Sequence, residues 1–299
     1  RRGVELDHGG ALGRQPALGL AELESLFGAE KSQPVEPTAA LVDVAPIEIP
    51  FERLGGSIKL AKVLKVLDYT EFSKLIDYVN KTLPDHLPYI PEGKIKFGIS
   101  TFCIKTSVND INRATLRIKK TIKAAGRSAR VMPNTELALN SAQVRHNQLT
   151  SAVGMELIFV RNGNTTILAQ TAAEQDIDAY AARDQGRPKR DARVGMLPPK
   201  LAQTIINLAH PSDGGTILDP FCGTGVILQE ATLMGLDIYG SDLEARMIDY
   251  SNENLKWLEQ KTQKHINGAS EVADATKQHW QELPYSSIAC ETYLGRPFS

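Results

Sequence analysis

The stretch Thr216-Ile-Leu-Asp219, Pro220-Phe221-Cys222-Gly223-Thr224-Gly225, then Val226 to Met234, decides the fold of the C-terminal part of the chain. Thr216 to Asp219 reads as a short buried strand and Val226 to Met234 as a helix stopped by Gly235. The turn between them holds two glycines. Such a turn lets a ligand approach the backbone closely and points the first N–H groups of the helix at it.

Working outward, Asp237 to Ser241 is a second strand. It ends at Asp242, seventeen residues beyond Gly225. A carboxylate there can accept both hydroxyls of a ribose. After another helix, Glu271-Val-Ala-Asp274 supplies an acid that can take a hydrogen bond from an adenine amino group. From Leu197 onward helices and strands alternate, which implies an α/β domain with a parallel sheet. The nicotinamide fingerprint GxGxxG is absent. No lysine follows Gly225 in Walker fashion, which argues against a phosphate-binding nucleotide module.

The front of the chain is α+β in pattern. A helix is expected up to Phe27, with short strands at Leu41–Val44 and Ile47–Ile49. An exposed strand is expected at Ile58–Leu64, a helix at Phe72–Val79, and a proline-rich loop from Leu83 to Gly93. Lys94–Ser100 alternates as a strand. Met155–Val160 and Thr165–Ala169 flank Asn162-Gly163, a hairpin turn that needs positive φ angles. Ile111 to Ala125 is an amphipathic helix stopped by Gly126. Its Arg113, Arg117, Lys120 and Lys123 lie off the apolar face, with Arg127 and Arg130 just beyond. Between Lys94 and Arg130 there are ten Lys or Arg and one acid, Asp110. A one-signed surface of this kind suits phosphate contacts better than solubility alone.

Charge agrees with that division. The net charge is −1, but residues 1–172 carry 22 Lys and Arg against 17 Asp and Glu, and the remainder 12 against 18. A basic front on an acidic back suggests that the front meets a polyanion. Cys103, Cys222 and Cys290 are too scattered for a disulfide framework or a metal site. No apolar run could span a bilayer and the N-terminus has no signal-peptide core. An intracellular, cytoplasmic, metal-free protein is expected.

The turn Asp219 to Gly225 resembles motif I of class I methyltransferases in its Asp-Pro-Phe-x-Gly-x-Gly form, found in amino-group methyltransferases acting on RNA and DNA. With Arg187-Pro-Lys-Arg-Asp191, Gly195-Met-Leu-Pro-Pro-Lys-Leu-Ala202, Arg53-Leu-Gly-Gly-Ser-Ile-Lys59 and Gly126-Arg-Ser-Ala-Arg130, the chain resembles the THUMP-containing tRNA guanosine-N2 methyltransferases, which act at position ten of tRNA. The resemblance implies a ferredoxin-like plus THUMP RNA-binding region at 1–172 and a linker at 173–196. The N-terminal part of a Rossmann-like methyltransferase domain would follow at 197–299. It implies S-adenosylmethionine as cofactor, held by Asp219, Pro220, Phe221, Cys222, Gly223 and Gly225 with Asp242, Leu243, Asp274 and Ala275, and tRNA as partner.

In that family an Asp/Asn-Pro-Pro-Tyr/Phe loop follows the fourth strand and receives the target amino group. Here Ser287–Cys290 ends in Glu291-Thr-Tyr293. Glu291 stands in the acidic position, Tyr293 falls one place early, and both prolines are missing. Glu291 and Tyr293 are the candidate catalytic pair. Two further departures stand out. Arg1 to Gly10 is polar where the family has an apolar strand, so this end reads as foreign or disordered. The seven-stranded sheet of the family needs three more strands, so the chain reads as truncated and its turnover is in question. The alternatives are a non-catalytic tRNA-binding protein with a relict cofactor pocket and a DNA amino-methyltransferase.

Overall fold

The computed structural model describes residues 3–6, 16–35, 39–191, 196–278, 280 and 285–292. The chain divides into two compact units. One takes residues up to Phe51 and Ser57–Ile177; the other takes Glu52–Gly56 and the chain from Asp178 onward.

The first unit is built on an eight-stranded sheet. In chain order its elements are β1 (Gly3–Leu6), α1 (Pro16–Phe27), β2 (Ser32–Val35), β3 (Ala39–Val42), β4 (Lys59–Leu67), α2 (Phe72–His86), β5 (Ile95–Phe102), α3 (Val108–Ala124), β6 (Ala129–Val131), α4 (Ser141–His146), β7 (Gly154–Asn162) and β8 (Thr165–Glu174). The strand order is β2-β3-β1-β4-β8-β7-β5-β6. β5 runs parallel to β6 and β7, and the other pairs are antiparallel. β7 is buried on both faces. Its Leu157 and Phe159 join α2 and α3 in one core, and its Ile158 and Val160 join Ala61, Ile167 and Ala169 in another. A strand covered on both sides must be apolar almost throughout, which is why Met155–Val160 shows little alternation.

Several expectations change here. The end expected to be foreign or disordered contributes β1, which pairs through its backbone with β3 and β4; main-chain pairing needs no apolar run. Ile47–Ile49 is no strand: Pro46 opens a 3-10 turn over Pro46–Glu48 and leaves Ile47 exposed, since proline is preset for a first helical position. The loop expected from Leu83 begins as helix. α2 continues through Pro84 to His86, because Leu83 and Leu87 extend the buried stripe of Leu75, Ile76 and Val79. The exposed strand expected at Ile58–Leu64 is β4, whose first three residues are buried.

Lys59 is the reason. Its side chain is 1% exposed, and its Nζ donates to Glu156 Oε1 at 2.6 Å and to the Leu139 carbonyl at 2.7 Å. Ser100 and Thr171 hydroxyls donate to the same Glu156 carboxylate. Nearby, burial pushes the Glu174 carboxyl up to about 8.

In the second unit the elements are α5 (Ile177–Gly186), α6 (Pro199–Leu208), β9 (Thr216–Asp219), α7 (Val226–Leu233), β10 (Asp237–Asp242), α8 (Ala245–Thr262), β11 (Gly268–Val272) and β12 (Ser287–Ile288). The sheet order is β11-β10-β9-β12, with every pairing parallel. This is the parallel α/β sheet that the alternating pattern implies, in the Rossmann-like form that the family resemblance implies. Its core joins Ala202 and Ile206 of α6, Ile217, Ile227, Leu228, Ala231, Ile238, Ile248 and Leu255.

The expected linker at 173–196 is largely structured. β8 runs to Glu174, α5 follows, and from Asp178 the chain belongs to the second unit. Arg183 forms a two-point ion pair with buried Glu230 of α7, and Tyr180 hydrogen-bonds Gln203 of α6. Polar side chains that look solvated in sequence are here the partners of buried acids and amides. The segment Glu52–Gly56 is held on α6: the Arg53 carbonyl accepts from Asn207 Nδ2 at 2.7 Å, and a Cβ on Gly55 would lie 2.0 Å from the Lys200 carbonyl oxygen.

Candidate functional site

The site forms at the carboxyl ends of β9, β10 and β12, where open α/β sheets take their ligands. Asp219 closes β9 as a buried residue and accepts the Phe221 N–H at 3.1 Å. Cys222 N–H donates to the Ser241 carbonyl, and Ser241 Oγ donates to the Pro220 carbonyl. These bonds stitch the turn to β10. The Gly225 N–H then donates to the Cys222 carbonyl at 2.7 Å, and α7 begins.

The two glycines do different jobs. Gly223 has φ +50°, and a Cβ there would meet no atom within 4 Å, so one side of the loop is open space. Gly225 has φ +79°, and a Cβ there would lie 2.4 Å from Ser251 Oγ. Gly225 is packed against α8 and Gly223 faces room for a ligand.

Asp242 sits across from that opening. Its Oδ2 accepts the Gly223 N–H at 3.0 Å and its Oδ1 accepts the Glu244 N–H at 2.9 Å. Each oxygen keeps a further lone pair for a ligand hydroxyl. Phe221, in the turn, and Leu243, next to Asp242, expose large apolar side chains (48% and 73%). Asp274 is tied into its own turn. Its carboxylate binds the N–H and hydroxyl of Thr276 and pairs with Lys277 at 3.0 Å, and these contacts hold it down at about 2. The Ala275 carbonyl accepts the Trp280 indole N–H.

Glu291 is exposed just past β12. It lies within electrostatic reach of Asp219, whose carboxyl is pushed up to about 8 by burial, with the charges of Asp242 and Glu291 acting the same way. Burial likewise raises the Cys222 thiol. Tyr293 lies outside the described residues. For Asp219 the sign is clear: the folded protein holds the proton up to about pH 8 and the unfolded chain up to about 3.8. Asp219 therefore costs stability progressively as pH rises between those values. Asp219→Asn is expected to flatten the decline in melting temperature between pH 6 and pH 8; an unchanged slope would mean the carboxyl is already ionised at pH 6.

Of the basic residues of the first unit, Arg113, Lys120, Lys123 and Arg130 are exposed. Arg117, also exposed, pairs with Asp77 at 2.6 Å and Arg113 with Asp110 at 3.7 Å. Arg127 is structural. Its guanidinium donates to the carbonyls of Leu87, Ile90, Pro91 and Gly93 and holds that loop. Among the described residues no His/Cys/Asp/Glu group could hold a metal ion, and no helix is long and apolar enough to cross a membrane.

Sequence reasoning missed Ser251 and Asn254, which lie beneath the glycine turn. The signal was present: both fall on the same stripe of α8 as Met247, Ile248, Leu255 and Leu258, and a polar residue on an apolar stripe needs a buried partner.

The sheet order defines a Rossmann-like α/β domain with the glycine turn at the carboxyl end of its strands. Residues 187–293 match the RMKL-like methyltransferase domain of the UPF0020 family. A tRNA (guanine(10)-N2)-dimethyltransferase of Methanothermobacter thermautotrophicus is 50% identical over 62 residues, 21% of this chain and 18% of that protein. The enzyme of the same name from Pyrococcus abyssi is 41% identical over 86 residues, 29% of this chain and 24% of that protein. The matches thus span well under two thirds of the length of these relatives. A solved structure described as a methyltransferase complexed with SAH shares the fold at a TM-score of 0.50 and 13% identity, over 93% of this chain and 76% of that one. Over part of its length the chain is thus similar to tRNA (guanine(10)-N2)-dimethyltransferases, and residues 187–293 match a methyltransferase domain.

Proposed function

We propose that this chain belongs to an S-adenosylmethionine-dependent methyltransferase that modifies the N2 amino group of a guanosine in tRNA. The observation that carries the reading is the glycine turn: open at Gly223, its N–H held by the Asp242 carboxylate. The names of the relatives point to the same chemistry. The residues fit the cofactor. Asp242 has lone pairs left for ribose hydroxyls, and Phe221 and Leu243 offer apolar faces for an adenine ring. Asp274, committed to its own turn, would bind adenine through the backbone beside it, at Ala275, more readily than through its carboxylate. When bound, the cofactor supplies an electrophilic methyl group on a sulfonium.

What the chain supplies is alignment. Glu291 would accept a hydrogen bond from the exocyclic amine, which would orient the nitrogen lone pair and offset the positive charge that develops on that nitrogen. The base must leave its stack to reach that point, and Tyr293 is the aromatic candidate to receive it. The first unit, read as ferredoxin-like plus THUMP, would hold tRNA through Arg113, Arg117, Lys120, Lys123 and Arg130. That binding should weaken steeply with salt.

The test is calorimetric titration with S-adenosylhomocysteine, followed by radiolabelled methyl transfer to transcribed tRNA and to duplex DNA. Cofactor binding with N2-methylguanosine in the tRNA digest is the expected result. Label in DNA alone would favour a DNA amino-methyltransferase. Tight tRNA binding with no methyl transfer would favour a non-catalytic tRNA-binding protein with a relict cofactor pocket.

A further inference from the structure

Asn254 is fully buried on α8, one turn after Ser251. Its carboxamide is used at both ends. Oδ1 accepts the Lys189 N–H at 2.9 Å, while Nδ2 donates to the Lys189 carbonyl and to the Thr224 carbonyl, each at 2.9 Å. Thr224 is the residue between the two glycines of the loop. Lys189 is the middle of the strap Arg187–Asp191 and lies 65 positions before Asn254 in the chain. One side chain therefore pairs with residue 189 as a neighbouring strand would, and also fixes the carbonyl at the centre of the loop.

At the start of the strap the Arg187 side chain is buried, 4.0 Å from Asp184, and the remaining side-chain pairs lie nearer solvent. Lys189 Nζ pairs with Glu253 at 3.3 Å and lies over the Tyr250 ring, and Asp191 pairs with Arg246 at 3.1 Å. Such partly exposed pairs are screened and contribute little. The buried carboxamide is the strong link. No other side chain substitutes for it easily. Aspartate would set a carboxylate against two carbonyl oxygens, and alanine would strip the Lys189 N–H and carbonyl of this partner and leave the Thr224 carbonyl only the long bond from Gln229 Nε2 at 3.5 Å.

Resting on the cofactor reading above, we propose that Asn254 is a positioning residue: it locks the strap Arg187–Asp191 to the glycine turn, so that cofactor binding at the turn orders the strap as well. Asn254 touches no cofactor atom in this scheme. It acts by holding the Thr224 carbonyl, and so the Gly223 and Gly225 amides, in register with the strap.

The experiment pairs S-adenosylhomocysteine titration with amide hydrogen exchange in wild type, Asn254→Ala and Asn254→Asp. In wild type the ligand should slow exchange in residues 221–225 and in 187–191 together. Asn254→Ala should bind about tenfold more weakly or worse, and at saturating ligand should protect the turn but no longer the strap. A general loss of stability would lower both protections alike and would not split them. Should the alanine variant fail to fold, Asn254→Asp gives a second reading. Its deficit relative to wild type should shrink at pH 5 compared with pH 8, because a protonated carboxyl regains one donor. Wild-type binding with an Asn254→Ala variant of equal affinity, or with strap protection retained, overturns this inference alone. Absence of binding by wild type overturns the cofactor reading and this inference with it.

Discussion

Lys59→Met is expected to destabilise the first unit by about 3–5 kcal/mol, the penalty for stripping one partner from a buried ion pair. Glu156 is fully buried, and its carboxylate takes Lys59, Ser100 and Thr171. Without the ammonium it must either sit as an unpaired charge or take up a proton. The Leu139 carbonyl loses its donor at the same time. Guanidinium denaturation of the variant near neutral pH should show the loss. Lys59→Met with Glu156→Leu removes both charges and should recover a large part of the stability, because two apolar groups leave no buried charge. If the single variant loses less than about 1 kcal/mol, the pair is solvated in solution and the burial assigned to it is wrong.

The second large effect falls on Asp242. On the cofactor reading it accepts two ribose hydroxyls with lone pairs left over from the Gly223 and Glu244 amides. A hydrogen bond to a charged group contributes about 1.5–3 kcal/mol. Loss of the pair in Asp242→Ala should therefore weaken S-adenosylhomocysteine binding about 100-fold or more. Asp242→Asn keeps one acceptor oxygen and should lose less. Calorimetric titration gives the affinities, and circular dichroism checks that the sheet is intact. An affinity within about threefold of wild type would remove Asp242 from the site.

The parts of this protein that sequence reading reached are those set by neighbours in the chain. Asp219 to Gly225 reads as a strand–turn–helix because the two glycines and the flanking apolar runs are local facts. The stripe Ile111, Ala114, Ile118, Ile122 and the stop at Gly126 fix α3 for the same reason; in the β7–β8 hairpin Asn162 stays in the strand, paired with Thr165, and Gly163 alone takes the positive φ. Spacing also brought Asp242 to the mouth of the turn, since a β-α-β unit of that length returns the chain beside its starting strand.

Tertiary structure decided whatever depended on partners far along the chain. Lys59 reads as a surface residue on an alternating strand, and only Glu156, 97 positions away, compensates its burial. Residues 178–191 read as a linker until Glu230, Gln203 and Asn254 are placed against them. Glu52–Gly56 belongs to the second unit through Asn207, 154 positions beyond Arg53. Local propensity carries no record of such pairs. A polar side chain looks the same in sequence whether water or a buried amide completes its hydrogen bonds, and the folded core alone settles which it is.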